Sequence, residues 1–307
     1  MDLRQIENIL KIAQEENITR AAEKLYISQP ALNQQLLNLE KELGTRLFYR
    51  NRNNWKLTEA GEIYVEAGKK LLEIKKDAYS RISDLAQTKR EQLTIGVTPG
   101  TGGRMLAWVY KKFHRTYPDI RIQVSQSFGR QMQKDIASGV LDIGIMTIGN
   151  SWSSKEVTEE LRKAEMILVM SKDNPMKNAA FFEPDGTEVI DLKALCDEYF
   201  VLGNRAGINH TILTDIFEQA GFTPKIYSQS GVFQLNMSMV EENLCCGIIE
   251  EYHKDELPEG VISYKLSSHP TLNVVAVYKQ GKYLSRAARD FIDIAKEYWK
   301  ECELKFE

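Results

Sequence analysis

Through the first 88 residues apolar positions recur at helical spacing; beyond them, short alternating runs and helical stripes take turns. Leu3, Ile6, Leu10 and Ala13 make the stripe of an amphipathic helix. Ala22 and Leu25 mark a short second helix, for which Thr19 is a suitable N-cap type. Tyr26-Ile27-Ser28 then turns the chain. Ser28 is placed to cap a third helix, whose first turn tolerates Pro30 because backbone N–H groups there have no helical partner. Leu32, Leu36, Leu39 and Leu43 run down one side of that helix, and Gly44 ends it. Two helices joined by a turn of three to four residues have the helix-turn-helix layout. "RLFYRNRNNWKLT" reads next as two short extended pieces around the polar tip Asn51-Arg52-Asn53-Asn54, a small wing.

Residues 59–88 contain no proline. Ala60, Tyr64, Ala67, Leu71, Ile74, Ala78 and Leu85 fall on a heptad seam, with Arg81 at the missing position and Ile82 beside it. A helix of about 30 residues spans about 45 Å. So narrow a stripe on so long a helix wants a partner helix, which predicts a dimerising linker.

After Glu91 "QLTIGV", "IRIQV" and "LDIGIM" read as strands, alternating with the helices "GGRMLAWVYKKFHRTYP" and "QMQKDIASGV". The same alternation recurs through "EMILVM", "DLKALC", "YFVLG", "HTILTDIFEQAG", "KIYSQS", "FQLNMSMVEEN" and "CCGII". It closes with the strand "TLNVVAVY" and the helix "SRAARDFIDIAKEYWKEC", which are expected to return to the first lobe. Alternation of this kind predicts a largely parallel sheet in two α/β lobes. The expected domains are 1–58, a linker helix 59–89, and 90–307, with lobe I at about 90–163 and 268–307 and lobe II at about 164–267.

Composition narrows the class. With 40 Lys and Arg against 43 Asp and Glu, the net charge of −3 excludes a chain that is basic overall, yet residues 45–58 hold Arg46, Arg50, Arg52 and Lys56 with no acid. No apolar run approaches the roughly 18 residues that span a membrane. The start, "MDLRQIENIL", lacks the basic region and apolar core of a signal peptide, so a cytoplasmic protein is expected, with no membrane partner. Cys196, Cys245, Cys246 and Cys302 show no CxxC spacing and are expected to be small buried hydrophobes. His114, His210, His253 and His269 are scattered, and no HExxH, Gly-x-Ser-x-Gly or phosphate-loop lysine occurs. Neither an enzyme nor a metal or cofactor is expected.

The segment "ITRAAEKLYISQPALNQQLLNLEKELGTRLFYR", a wing, and "LTEAGEIYVEAGKKLL" resemble the N-terminal signature of LysR-type transcriptional regulators. Ala21-Ala22, Ser28-Gln29-Pro30-Ala31, Leu39-Glu40, Leu43-Gly44, Leu47-Phe48 and Leu57-Thr58-Glu59-Ala60-Gly61 stand in that family's order and spacing. "LTIGV", Pro118 and "SGVLDIGI" carry the resemblance into the second half. The resemblance implies a winged helix-turn-helix, a dimerising linker helix, and a two-lobed effector domain similar to periplasmic binding proteins. It implies a homodimer or homotetramer on promoter DNA, with RNA polymerase as a further partner and a small inducer between the lobes. The sequence departs from the family at Asn33, where Ser or Thr is common, and at Asn243, Cys245 and Glu250, where Gly, Gly and Pro are expected. Peroxide-sensing members carry a reactive Cys in the second lobe; here that stretch is Gly203-Asn204-Arg205-Ala206, with Cys196 several residues upstream, so thiol sensing is not expected.

The third helix begins with side-chain amides: Gln29, Asn33, Gln34 and Gln35. A recognition helix sets its N-terminal side chains against base edges, and an amide's donor and acceptor match adenine N6 and N7. Gln29, Asn33 and Gln34 are therefore expected on bases, with Pro30 and Ala31 against a thymine methyl or a sugar. Arg50, Arg52 and Lys56 are expected on phosphates, and the wing tip in the minor groove. A merely solvated polar face is the alternative.

In open parallel sheets ligands sit at the carboxyl ends of strands, against helix N-termini. "IGVTPGTGGRM" is such a place, where Thr98, Gly100 and Thr101 suit a carboxylate or other anion; ordinary turn chemistry is the alternative. Ser127 and Gly129 precede another helix, Thr147 follows the third strand, and "LGNRAGIN" brings Asn204, Arg205 and Gly207 from the other lobe. Phe233 lies at a further helix start. An arginine facing a hydroxyl-lined cleft favours a small acid as effector. A ligand-independent DNA-binding regulator, its α/β half serving oligomerisation only, remains the alternative.

Overall fold

The computed structural model describes residues 2–51, 54–85, 92–98, 100, 102–127, 129–149, 152–203 and 208–303. Contacts divide the chain into residues 1–88 and 89–307.

The first unit contains α1 (Leu3–Glu15), α2 (Ile18–Lys24), α3 (Gln29–Leu43), the antiparallel hairpin of β1 (Phe48–Asn51) and β2 (Asn54–Leu57), and α4 (Glu59–Leu85). Asn17, not Thr19, caps α2: its backbone is extended, and its side chain accepts from Thr19 N at 2.9 Å and Arg20 N at 3.1 Å. Thr19 is already helical. Ser28 caps α3 by accepting from Ala31 N, Pro30 sits in the first turn, and Gly44 closes the helix at φ +70°. Ile6, Ile9, Ile12, Leu32, Leu36, Leu39, Leu47 and Phe48 form the core. Leu43, in the last turn of α3, is exposed instead.

Two glycines let α4 approach this core. A Cβ on Gly61 would stand 2.1 Å from the Leu47 carbonyl oxygen, and one on Gly68 would stand 2.7 Å from Ile6 Cγ2. Thr58 fixes the start of α4: its hydroxyl donates to Arg46 O at 2.6 Å and accepts from Gly61 N at 3.0 Å. Ala60, Tyr64, Val65 and Leu72 pack on the domain. The expected seam is thereby corrected, because Ala60 and Tyr64 face inward. The outward apolar row is Ile63, Ala67, Leu71, Ile74, Ala78, Ile82 and Leu85, an 11-residue repeat in which Ile63, Ile74 and Leu85 are 66, 65 and 87% exposed.

The second unit runs β3 (Gln92–Val97), α5 (Gly103–Thr116), β4 (Arg121–Gln126), α6 (Gly129–Ala137), β5 (Ile143–Ile148), β6 (Val157–Ser171), β7 (Phe181–Phe182), β8 (Glu188–Ile190), β9 (Tyr199–Leu202), α7 (Ile208–Ala220), β10 (Lys225–Gln229), α8 (Phe233–Glu241), β11 (Cys246–Glu250), β12 (Val261–Leu266), β13 (Thr271–Tyr278) and α9 (Arg286–Glu303). Strands lie in the order β10-β9-β11-β6-β13-β5-β3-β4, with β12, β8 and β7 branching from β6. β3 is parallel to β4 and β5, and β9 to β10 and β11. The centre is antiparallel, a correction to the largely parallel expectation: β6 pairs antiparallel with β13, β11 and β12. The cause is the length of β6. Its first part, to Glu165, pairs β13 in lobe I, and its last part, from Met166, pairs β11 and β12 in lobe II. Only "EMILVM" is legible as strand, because Val157–Lys163 has just two apolar residues, Val157 and Leu161, among Thr158, Glu159, Glu160, Arg162 and Lys163 and shows no alternating pattern. "DLKALC" gives a 3-10 turn, Leu192–Leu195, whose surface end leaves Cys196 exposed rather than buried.

Asp142 accepts from Thr94 N at 3.0 Å and Thr94 Oγ1 at 2.8 Å, so it pins the start of β5 to β3. No helix among the described residues is long and apolar enough to cross a membrane.

Candidate DNA-reading surface and effector cleft

The capped start of α3 turns Gln29, Pro30, Ala31 and Gln34 outward and leaves Asn33 half-buried. Gln34 Nε2 donates to Asn38 Oδ1 at 2.9 Å, an in-helix bond that aligns the two amides. Gln35 is used within the fold, since its Oε1 accepts from Asn8 Nδ2, and Asn8 is 6% exposed. Arg50 is also engaged within the domain. Its guanidinium pairs with Glu40, 7% exposed, and lies 5.5 Å from the Trp55 ring centroid. Glu40 further accepts from Leu47 N at 2.9 Å, so this cluster ties the wing to the back of α3. Lys56 is exposed on β2. Arg52 lies outside the described residues. No pattern in the sequence signals Tyr26, which stands 95% exposed at φ +56° in the turn between α2 and α3. A bulky residue is rarely held in the left-handed region, and such positions cluster at working surfaces.

In the second unit the residues that follow β3 and β4 stay bonded to the neighbouring strands. Thr98 N donates to Ile145 O at 3.2 Å, and Ser127 N donates to Val97 O at 3.2 Å. Gly100 adopts φ +92°, and α5 starts without a side-chain cap. Uncapped first-turn N–H groups suit an anion. Thr98, Gly100, Gly103, Leu106, Val124 and Gln126 line a hollow of about 350 Å³ there. Ser127 Oγ is buried with no hydrogen-bond partner among the described residues. Gly129 belongs to a second hollow of about 280 Å³, where Arg130, Gln133, Gly149 and Trp152 of lobe I face Thr211 and Ile212 of lobe II. Sequence patterns offer no handle on these lining residues, since only the fold brings α6 and α7 together.

Thr147 is a correction. β5 extends to Ile148, so Thr147 lies inside the strand, 2% exposed, rather than beyond its end. Phe233 begins α8 and rests on His253, ring centroids 4.8 Å apart. Thr101, Asn204, Arg205 and Gly207 lie outside the described residues.

The departures near 243–250 have physical explanations in part. Asn243 holds φ +56°, a conformation Asn tolerates better than other side chains. Cys245 and Cys246 are buried, which pushes their thiols up to about 11 and about 12, away from the thiolate a redox sensor uses. No group of three or more His, Cys, Asp or Glu among the described residues is placed to hold a metal.

A winged helix-turn-helix ahead of a two-lobed α/β domain defines a ligand-responsive transcription factor. Residues 3–62 match the family described as "Bacterial regulatory helix-turn-helix protein, lysR family", and residues 86–300 match "LysR substrate binding domain". The chain belongs to the LysR family of transcriptional regulators. It is 28% identical to the Hca operon transcriptional activator HcaR of Escherichia coli, over 97% of this chain and 98% of that one. It is 27% identical to the uncharacterized regulator YwbI of Bacillus subtilis, over 97% of each chain. Among solved structures, a full-length OxyR variant from Pseudomonas aeruginosa has a TM-score of 0.70 at 22% identity, covering 97% of this chain and 94% of that one. CbnR complexed with its target DNA has a TM-score of 0.64 at 16% identity, covering 97% of this chain and 99% of that one.

Proposed function

We propose that this regulator reads its operator with the amides of Gln29, Asn33 and Gln34, and that a small acid bound between the lobes controls it. The carrying observation is that the capped start of α3 turns Gln29 and Gln34 outward, with Asn33 half-buried beside them. Pro30 and Ala31 supply apolar contact, and Lys56, Arg52 and the wing supply the phosphate contacts that set affinity. Arg50 supports the wing through Glu40 and offers the backbone only its remaining N–H groups. Tyr26 stands beside the same surface and is proposed to pack on the DNA backbone. Residues 1–58, 59–89 and 90–307 act as DNA reader, linker and sensor. The outward row of α4 pairs with a second copy, so the unit on promoter DNA is at least a homodimer.

The effector's acid is proposed to lie on the turn from Thr98 to Gly103, with Thr101, Ser127, Gly129, Asn204, Arg205 and Gly207 around it and Phe233 alongside. The uncapped start of α5 supports an anion there. The test is a thermal-shift screen of the full-length protein against organic acids, since a ligand that binds the folded state stabilises it by mass action. A shift that disappears in the Thr101→Val, Arg205→Ala double variant, with DNA binding retained, is expected. An unaltered shift in that variant would refute the site.

A further inference from the structure

The chain crosses between the lobes at two points that lie side by side. One is β6 at Glu165 and Met166, where pairing passes from β13 to β11 and β12. The other is the turn from Leu266, the end of β12, to Thr271, the start of β13. Met166 N donates to Pro270 O at 2.8 Å, so a backbone bond joins the two crossings. His269 stands in that turn at φ +44°, in the left-handed region that few side chains occupy. Its Nδ1 lies 2.6 Å from Glu165 Oε1 on β6, and its Nε2 lies 3.0 Å from Glu183 Oε2, just after β7. Glu183 belongs to the β7–β8 hairpin, which joins lobe II where β8 runs beside β12. One imidazole therefore spans from the lobe I end of β6 to a hairpin of lobe II.

The two partners decide what the ring must carry. A neutral imidazole has one N–H and one bare acceptor, so it satisfies one carboxylate and turns a lone pair on the other. The imidazolium donates to both. The surrounding charge agrees. Asp185, on the same hairpin as Glu183, adds its field at His269. The facing cation is Lys265 on β12, 2.9 Å from Glu165 Oε2, with Glu251 and Asp185 acting on it in turn. Hydrogen bonds to Glu165 and then Glu183 outweigh desolvation and raise the titration of His269 above the ordinary 6.5. A folded value above the unfolded one gives a contribution that is full below about pH 6.5 and is lost as pH rises through the raised value. The His269 side chain is 41% exposed and that of Glu165 12%, so solvent protons reach the ring while one partner stays sheltered.

We propose that protonated His269 is a clasp across the hinge between the lobes, and that loss of its proton frees the β7–β8 hairpin from the two crossings. The lobes then answer to pH in addition to any effector. This clasp rests on the hinge alone and stands whether or not an acid binds in the cleft. The test is hydrogen exchange of the full-length protein, read by mass spectrometry on peptides that hold Met166 and residues 267–270, from about pH 6.5 to about pH 9. Protection is taken relative to the intrinsic rate at each pH, with peptides from α1 to α3 as the internal reference. Protection at the crossings is expected to fall at least about fivefold over that range while the reference holds steady. His269→Asn, which suits the left-handed turn and takes no charge, should show low protection at every pH. His269→Arg, charged throughout and able to face two carboxylates, should show high protection at every pH. Glu183→Gln should weaken the pH dependence, because it removes the charge at the lobe II end of the clasp. Wild-type protection that does not change with pH, or a change that survives in the Asn or the Arg variant, would overturn the proposal. If the Asn variant fails to fold, the Arg and Glu183→Gln variants decide the matter.

Discussion

An exposed amide at the start of α3 is separable from the fold in a way that Arg50 is not. Gln29→Ala is expected to leave thermal stability nearly unchanged, and Gln29→Ala and Asn33→Ala are each expected to relax operator preference, at about 1–3 kcal/mol per lost bidentate contact. Competition binding against point-mutated operators checks this, and unchanged preference in both variants would refute base reading. Lys56→Ala should weaken all sequences alike and reduce the salt slope by about one. Arg50→Ala should lower stability as well as affinity, since it strips a buried Glu40 of its partner. Glu159 shows how a residue can be silent in sequence and strong in structure. Burial pushes its carboxyl up, but hydrogen bonds from Lys296, Tyr278 and Arg289 outweigh that and hold it down at about 2, against an ordinary 4.5. A folded value below the unfolded one gives stability that is full above about pH 4.5 and lost as pH falls toward about 2. Glu159→Gln should therefore cost up to about 3 kcal/mol at pH 7 and flatten the acid limb of urea unfolding between those limits. The amides and caps at Ser28 and Gly44 are legible in sequence because they act on their own helix. Asn17, Tyr26 and Glu159 are not: a cap shared with Thr19 needs backbone angles to settle, and a turn conformation or a long-range ion cluster leaves no local trace.

At the scale of the element, α4 carries two faces on one helix. The inward face depends on glycine. Gly61→Ala would drive a methyl into the Leu47 carbonyl, and about 1–3 kcal/mol of destabilisation is expected, measured by the midpoint of chemical unfolding. Gly61 can be read in sequence as part of a family motif, but not as the point where a helix start meets the chain before the wing. The outward face is legible as apolar spacing and misplaced in register, because a heptad and an 11-residue repeat share most positions over so short a span. The distinction has a consequence. Eleven residues in three turns is 3.67 per turn, which favours a straight or slightly right-handed pairing over a left-handed supercoil. Ile63→Lys with Ile74→Lys should weaken self-association of full-length protein more than tenfold by sedimentation, while leaving the monomer folded, since both residues point away from its core.

For the molecule as a whole, the order of helices and strands is readable, and their directions at the centre are not. Direction is set by which lobe a strand must reach, and that depends on residues far apart in the chain, such as Val157 beside Tyr278. One hollow lies on a single loop, at Thr98 and Gly100, that the sequence marks; the other forms where two lobes meet, at Trp152 and Ile212, and leaves no local trace. Cys245 and Cys246 can be read as buried hydrophobes; Cys196 cannot be read as exposed, because its apolar neighbours Leu192 and Leu195 turn inward without it.

The shared strand β6 also bears on how the chain is made. Lobe I is built from two stretches separated by the whole of lobe II, and its β6 half waits for β13. Domains generally fold as units as they leave the ribosome, N-terminal first. Residues 1–88 can settle early, whereas lobe I stays an open sheet until Tyr278 has emerged. A chain stopped late, short of β13, would keep its DNA-binding head and have no finished sensor. Such a product would compete for operators without answering to any effector, so a late truncation is expected to be dominant over the intact protein where an early one is merely inactive.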